Sequence, residues 1–171
     1  MFSEKKVLDW LKAPKQVDSR GEEEPVDENI INSIRLMNEK LPFLLTTASC
    51  GGHFYSREEI RAKYPDANDN QLSLPNEGYV AGGGGYIMIV TDGTEKSMGF
   101  LAALQQIITK YSDAGLIERN DNEYNLKLVR QLNDDDAFTI DEATEAKNQI
   151  KTLLEDIEDL VVNFSNRETP I

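Results

Sequence analysis

The run Pro42 to Phe54, PFLLTTASCGGHF, constrains the chain more than any other stretch. Phe43 to Thr47 is short and apolar with β-branched residues at its end, and Pro42 and Gly51-Gly52 bound it, so it reads as a buried strand. It ends in Ala-Ser-Cys-Gly-Gly, a tight turn, because glycine takes up backbone angles closed to other residues and admits a second backbone or a ligand at close range. Thr46, Thr47, Ser49, Cys50 and His53 thereby bring hydroxyls, a thiol and the only imidazole to one strand end. Strand ends and the loops after them are where sites tend to be built.

The segments on either side read as helices and further strands. Val7, Leu8 and Leu11 predict a short amphipathic helix from Ser3 to Ala13, ended by Pro14, and 15–25 reads as a polar loop. Asp27 is placed to cap a second helix, whose Ile30, Ile31, Ile34 and Met37 or Leu41 form one stripe that stops before Pro42. After His53 comes a helical turn or two at Ser56 to Tyr64, then residues 65–85, read as a flexible glycine-rich loop. Asp66, Asn68, Asn70 and Glu77 touch the spacing of a calcium loop, but Gln71 stands where the sharp turn needs glycine. Gly82 to Gly85 lack the Lys and Ser/Thr of a nucleoside-triphosphate loop, so a lid or linker is expected.

Tyr86 to Val90 reads as a strand. Asp92 to Glu95 has capping-box spacing, and the helix after it is expected to bury Met98, Leu101, Ala102, Gln105, Ile108 and Tyr111. A short strand at Leu116 to Glu118 precedes Glu123 to Leu132, where Tyr124, Leu126 and Leu128 alternate with polar residues as in a half-buried antiparallel strand. The last helix, Asp141 to Phe164, carries Ile150, Leu153, Ile157, Leu160 and Phe164 at three- and four-residue steps. That seam packs on the domain's own sheet, or else joins two copies as a homodimer through Ile150–Phe164.

Together these elements predict an α/β chain of the α+β mixed kind, a small mixed sheet flanked by helices. At 171 residues it fits a single domain, 1–171, with a core that needs no disulfide or metal. One cysteine excludes an intrachain disulfide framework, and no stretch has the apolar length of a membrane span. The N-terminal MFSEKKVLDWLK is amphipathic and acidic where a signal peptide has an unbroken apolar core, so a cytoplasmic protein without membrane contact is expected. The formal charge of −13, from 31 acidic and 18 basic residues, gives a field that disfavours nucleic acid. The basic residues Lys5, Lys6, Lys12, Lys15, Arg20, Arg57, Arg61 and Lys63 are solvated surface charges or a local patch.

One His and one Cys cannot build a structural zinc site within one chain, and no metal ligands are assigned. Cys50 and His53, three residues apart, are compatible with an activated thiol, with a metal held jointly with carboxylates, or with a buried small group beside a turn cap.

Residues Asp18, Ser19, Gly21, Asp27, Ile30, Asn38, Thr46, Thr47, Ser49, Cys50 and Gly52 carry a family pattern. Over roughly Phe2 to His53 the chain resembles the tRNA wybutosine-synthesising protein 3 family, with His53 where that family has Arg. The resemblance implies the family's fold and its S-adenosylmethionine-dependent methyl transfer to a modified guanosine of tRNA, or the same activity on a different substrate. It implies a ligand pocket formed by Ser19, Thr47, Ser49, Cys50, Gly51 and Gly52. His53 and Asp18 are its candidate catalytic residues, as acceptors of the proton lost by the methylated nitrogen. The alternative is a non-enzymatic protein of the same fold that binds a small ligand or metal, or a dimeric interaction module.

Overall fold

The stripe that begins at Ile30 becomes the inner face of α1 (Ile31–Lys40), with Ile30, Ile34, Met37 and Leu41 almost completely buried. In the computed structural model the described residues are 15–17, 23–63, 65–66, 79–129 and 137–166. The chain leaves α1 directly into β3 (Leu44–Cys50), preceded by β1 (Lys15–Val17) and β2 (Glu23–Pro25). β1 and β2 pair antiparallel, so part of the polar segment expected to be loop is a small ribbon. Nothing local marks it, because each strand has only three residues.

The central sheet has the order β3-β6-β8-β7, with β6 (Tyr86–Thr91), β7 (Gly115–Asn120) and β8 (Glu123–Lys127). Ile87, Ile89, Tyr124 and Leu126 point one way and are buried, the alternation expected of a sheet with one covered face. A second sheet of order β4-β5-β9 joins β4 (His53–Ser56), β5 (Tyr79–Gly83) and β9 (Ala137–Phe138). The α/β class and the helix-flanked sheet are as the sequence predicts. All described ladders, however, are antiparallel, where a mixed sheet is expected from the pattern.

Strand β5 corrects the expectation of a flexible loop over 65–85. Its backbone pairs with β4 on one side and β9 on the other, and residues 67–78 lie outside the described ones. The chain passes between the two sheets at Gly51-Gly52 and at Gly84-Gly85, and again between β8 and β9.

Three further helices complete the fold: α2 (Arg57–Lys63), α3 (Glu95–Ile108) and α4 (Ile140–Asn166). Reciprocal capping boxes start two of them. The Ser56 amide donates to Glu59 at 2.6 Å and the Glu59 amide to Ser56 Oγ at 3.2 Å; Thr139 and Glu142 repeat the pair at 2.8 and 3.1 Å. α3 is capped by Thr94, whose hydroxyl accepts from the Ser97 amide, while Asp92 holds Thr94 from the turn.

The buried stripe of α3 differs from the expected one. Phe100, Leu101, Leu104 and Ile108 face inward, whereas Met98 is 49 % exposed and Ala102 and Gln105 face out. An aromatic cluster sets that rotation: Phe100 packs 6.2 Å from Phe43 and 5.5 Å from Phe164, ring centre to ring centre. α4 runs against α1 and α3. Its Ile150, Leu153, Ile157 and Val161 are buried in the domain's own core and Phe164 is engaged by Phe43 and Phe100. The Ile150–Phe164 seam thus packs within the domain's own core, the first of the two arrangements that its spacing allows. Among the described residues no helix is long and apolar enough to cross a membrane.

Candidate functional site

The turn after β3 is anchored from a distance. The carboxylate of Asp27, in the segment ahead of α1, accepts the Gly51 N–H at 2.6 Å, and Asn29 Nδ2 donates to the Gly51 carbonyl at 2.8 Å. Asp27 is accordingly not the side-chain cap that the sequence suggests; only its main-chain carbonyl serves the helix start, accepting from Ile30 and Ile31 at 3.2 and 3.1 Å. A side chain on Gly51 would overlap the Asn29 amide, so the residue must be glycine for this contact to form. Gly52 has φ +81°, and a Cβ there would come within 2.8 Å of Ile150 Cδ1 and 3.6 Å of Gly85 Cα. The two glycine pairs therefore lie against each other beside Ile150 of α4, and the positive φ of Gly52 is a backbone conformation that favours glycine.

On this turn the structure gathers three unlike groups. His53 Nε2 lies 3.4 Å from Asp27 Oδ2, and one ligand atom each from Asp27, Cys50 and His53 fall within 4.8 Å of one another. The His53 ring stacks on Tyr55 with centres 5.8 Å apart, which fixes its plane. Cys50 pairs with Tyr86 across the ladder. Burial pushes the Cys50 thiol up; hydrogen bonds from the Gly52 and Gly85 amides act the other way, and the Asp27 charge adds to the rise. Burial likewise pushes the Tyr86 phenol up, with the Cys50 and Asp27 charges behind it.

Beside the turn a cleft of about 540 Å³ opens between Gly51-Gly52, Asn29 and α4. Ile150 and Leu154 form its apolar part, and Lys147, Lys151, Glu155 and Glu158 bring charges of both signs. Glu158 is already fixed, accepting from Asn32 Nδ2 at 2.7 Å and Ser33 Oγ at 2.6 Å, and Lys151 faces Glu155 at 4.0 Å.

The residues singled out in the sequence thus separate. Gly51 and Gly52 wall the cleft. Cys50 and His53 meet Asp27 and are not among the cleft's lining residues. Ser49 is buried and Thr47 exposed along β3, next to the register shift between Thr46 and Ala48, and neither lines the cleft. Asp18 and Ser19 lie outside the described residues. Asp27, Asn29 and the charged face of α4 were not legible as site residues. Asp27 precedes Gly51 by 24 positions, and α4 reads from its sequence as an amphipathic helix.

No protein-family model and no curated protein matches the chain. Among solved structures it is similar to the PH1069 protein from Pyrococcus horikoshii, with 10 % identity, 83 % of each chain covered and a TM-score of 0.41. It is also similar to a hypothetical protein from Aeropyrum pernix, with 15 % identity, 82 % of this chain and 96 % of the other covered and a TM-score of 0.39. At these identities and scores neither likeness bears on what the protein does.

Proposed function

We propose that the protein binds S-adenosylmethionine in the cleft between the Gly51-Gly52 turn and α4, and transfers its methyl group to a substrate other than tRNA. The observation that carries this reading is the cleft's mixed chemistry: an apolar floor at Ile150 and Leu154, flanked by Lys147, Lys151, Glu155 and Glu158. Pockets for small ligands are mostly apolar with a few placed polar groups, and about 300–1,000 Å³ is their usual size. S-Adenosylmethionine has a flat aromatic purine whose faces suit an apolar floor, an amino-acid carboxylate for lysine, and ammonium and sulfonium charges for glutamate. The resemblance over the N-terminal part of the chain points to the same cofactor. Transfer moves the methyl group from the sulfonium to a nucleophilic atom of the acceptor, leaving S-adenosylhomocysteine and a proton. With glutamates beside the cleft and a net charge of −13, the acceptor is expected to be small and not polyanionic.

Calorimetric titration with S-adenosylmethionine, S-adenosylhomocysteine and methylthioadenosine, which lacks the amino-acid part, tests the reading. Saturable binding of the first two, weakened in Lys151→Glu and Glu155→Lys and largely lost for methylthioadenosine, is the expected result. Both substitutions are on an exposed helix face, so loss of fold does not confuse the outcome. No binding by the wild-type chain, or binding indifferent to both substitutions, would end it.

A further inference from the structure

Asp27, Cys50 and His53 come from two separated parts of the chain and present an oxygen, a sulfur and a nitrogen donor toward one point. We propose that these three side chains form a binding site for a divalent transition-metal ion of the zinc class. It is independent of the cleft and of whatever the cleft binds.

The geometry already approaches what such an ion needs. Tetrahedral bonds of about 2.0–2.3 Å hold neighbouring donor atoms about 3.3–3.7 Å apart. His53 Nε2 and Asp27 Oδ2 are 3.4 Å apart, and the three donor atoms lie within 4.8 Å of one another, so closing on an ion needs only small side-chain movements. The side chains are 40 % and 24 % exposed at His53 and Asp27, which leaves a path for the ion to enter.

The surroundings suit the donors. The Gly52 and Gly85 amides hydrogen bond to the Cys50 sulfur and hold it on the side of the turn where Asp27 and His53 meet. The Gly51 amide donates to the Asp27 carboxylate and holds it beside His53, and Tyr55 stacks on the imidazole. Outer contacts of this kind fix the orientation of metal ligands. The glycine crossovers thus supply what the donors alone lack, since a Cβ at Gly52 would push Ile150 and shift the turn.

The donor set decides the class of ion. Magnesium and calcium take oxygen ligands and several of them, whereas thiolate with imidazole selects zinc and its neighbours in the transition series. Three protein ligands leave a fourth position for water or another ligand, the pattern of open zinc sites as against closed structural ones.

The test uses the whole chain, stripped of metal with a chelator and kept reduced with a phosphine, titrated with Co(II) as a spectroscopic stand-in for Zn(II). One equivalent should bind with a thiolate-to-cobalt charge-transfer band and the visible bands of tetrahedral cobalt, and Zn(II) should displace it. Cys50→Ser should abolish the charge-transfer band. His53→Gln, a change at a half-exposed side chain that leaves the fold intact by circular dichroism, should weaken binding by more than about tenfold, the lower figure for losing even an outer contact. Absence of the band in the wild-type chain, its persistence in Cys50→Ser, or equal affinity in His53→Gln would overturn the assignment. Cobalt bound without a thiolate band would place it on surface carboxylates and overturn it as well. Titration with S-adenosylmethionine plays no part in these readouts, so failure of the cleft reading would leave them unchanged.

Discussion

The Asp27 carboxylate accepts the Gly51 amide at 2.6 Å, and so fastens the segment ahead of α1 to the turn that ends β3. The turn would otherwise be free to re-form, because two successive glycines carry little conformational preference of their own. Asn29 holds the other side of the same residue, at its carbonyl in the next peptide group. Loss of a hydrogen bond to a charged group costs about 1.5–3 kcal/mol, and of a neutral one about 0.5–1.5 kcal/mol. Urea denaturation should therefore place Asp27→Ala below wild type by the first amount and Asn29→Ala by the second. The double variant should lose less than their sum, since both act on one residue of the turn. Additive losses would mean that the two contacts do not share a turn.

Gly52 at φ +81° is the second point of constraint. A left-handed backbone costs about 1–2 kcal/mol for a residue with a side chain, and a methyl here also presses on Ile150 Cδ1. Gly52→Ala should destabilise the protein by about 1–3 kcal/mol, overlap included. Ile150→Val removes the Cδ1 atom that is in the way and alone costs about 0.5–1.5 kcal/mol. In the double variant the overlap is relieved, so the combined loss should fall short of the sum. A strictly additive pair in thermal melts would show that the backbone angle, not the contact, sets the cost.

How legible this was from sequence differs by element, for physical reasons. The stripe of Ile30, Ile34, Met37 and Leu41 and the alternation of Tyr124, Leu126 and Leu128 are read directly, because their periods follow the helix and the strand. On α3, Met98 and Phe100 offer two competing stripes of similar hydrophobicity. The choice falls to Phe43 and Phe164, which meet Phe100 from far along the chain. β4, β5 and β9 have no local signal beyond short runs, since their stability lies in pairing with one another. At the site, Cys50, Gly51, Gly52 and His53 stand out by composition and spacing. Asp27 resembles a helix cap and is recognisable as their partner only once the fold brings it across.

Behind the turn, Asn38 makes three hydrogen bonds, two of which connect α1 to β3. Its Nδ2 donates to the Ile34 carbonyl at 2.9 Å and to Thr46 Oγ1 at 2.7 Å, and its Oδ1 accepts the Thr46 amide at 2.9 Å. Asn38 and Thr46 are buried, so a group left unpaired there has no water to turn to. Asn38→Ala should cost about 1–3 kcal/mol, the range for a buried donor or acceptor stripped of its partner. Thr46→Val, which removes one acceptor and leaves the amide bond in place, should cost roughly 0.5–1.5 kcal/mol. Hydrogen exchange of the Thr46 amide should quicken in the first variant and stay slow in the second. If it is equally slow in both, the amide does not depend on Asn38.

Alkaline stability should report on Tyr111 where α3 meets α4. Its hydroxyl donates to Asp156 Oδ2 at 2.8 Å, and Lys110 approaches the same oxygen at 3.5 Å. Burial, then the hydrogen bond to Asp156 and the charges of Asp156 and Glu155, push the phenol from its ordinary 10.0 to about 12. The folded chain therefore holds this proton more tightly than the unfolded chain does. The resulting stabilisation is complete below pH 10, where the unfolded phenol is still neutral, and is lost as pH rises through about 12. Tyr86 and Tyr124 are also pushed up and act in the same direction, so the wild-type curve alone does not isolate Tyr111. The difference between wild type and Tyr111→Phe does. Urea midpoints of the two should converge as pH climbs from 10 toward 12, because the variant has no proton to lose there. Curves that stay parallel through that window would mean that folding does not raise the Tyr111 phenol.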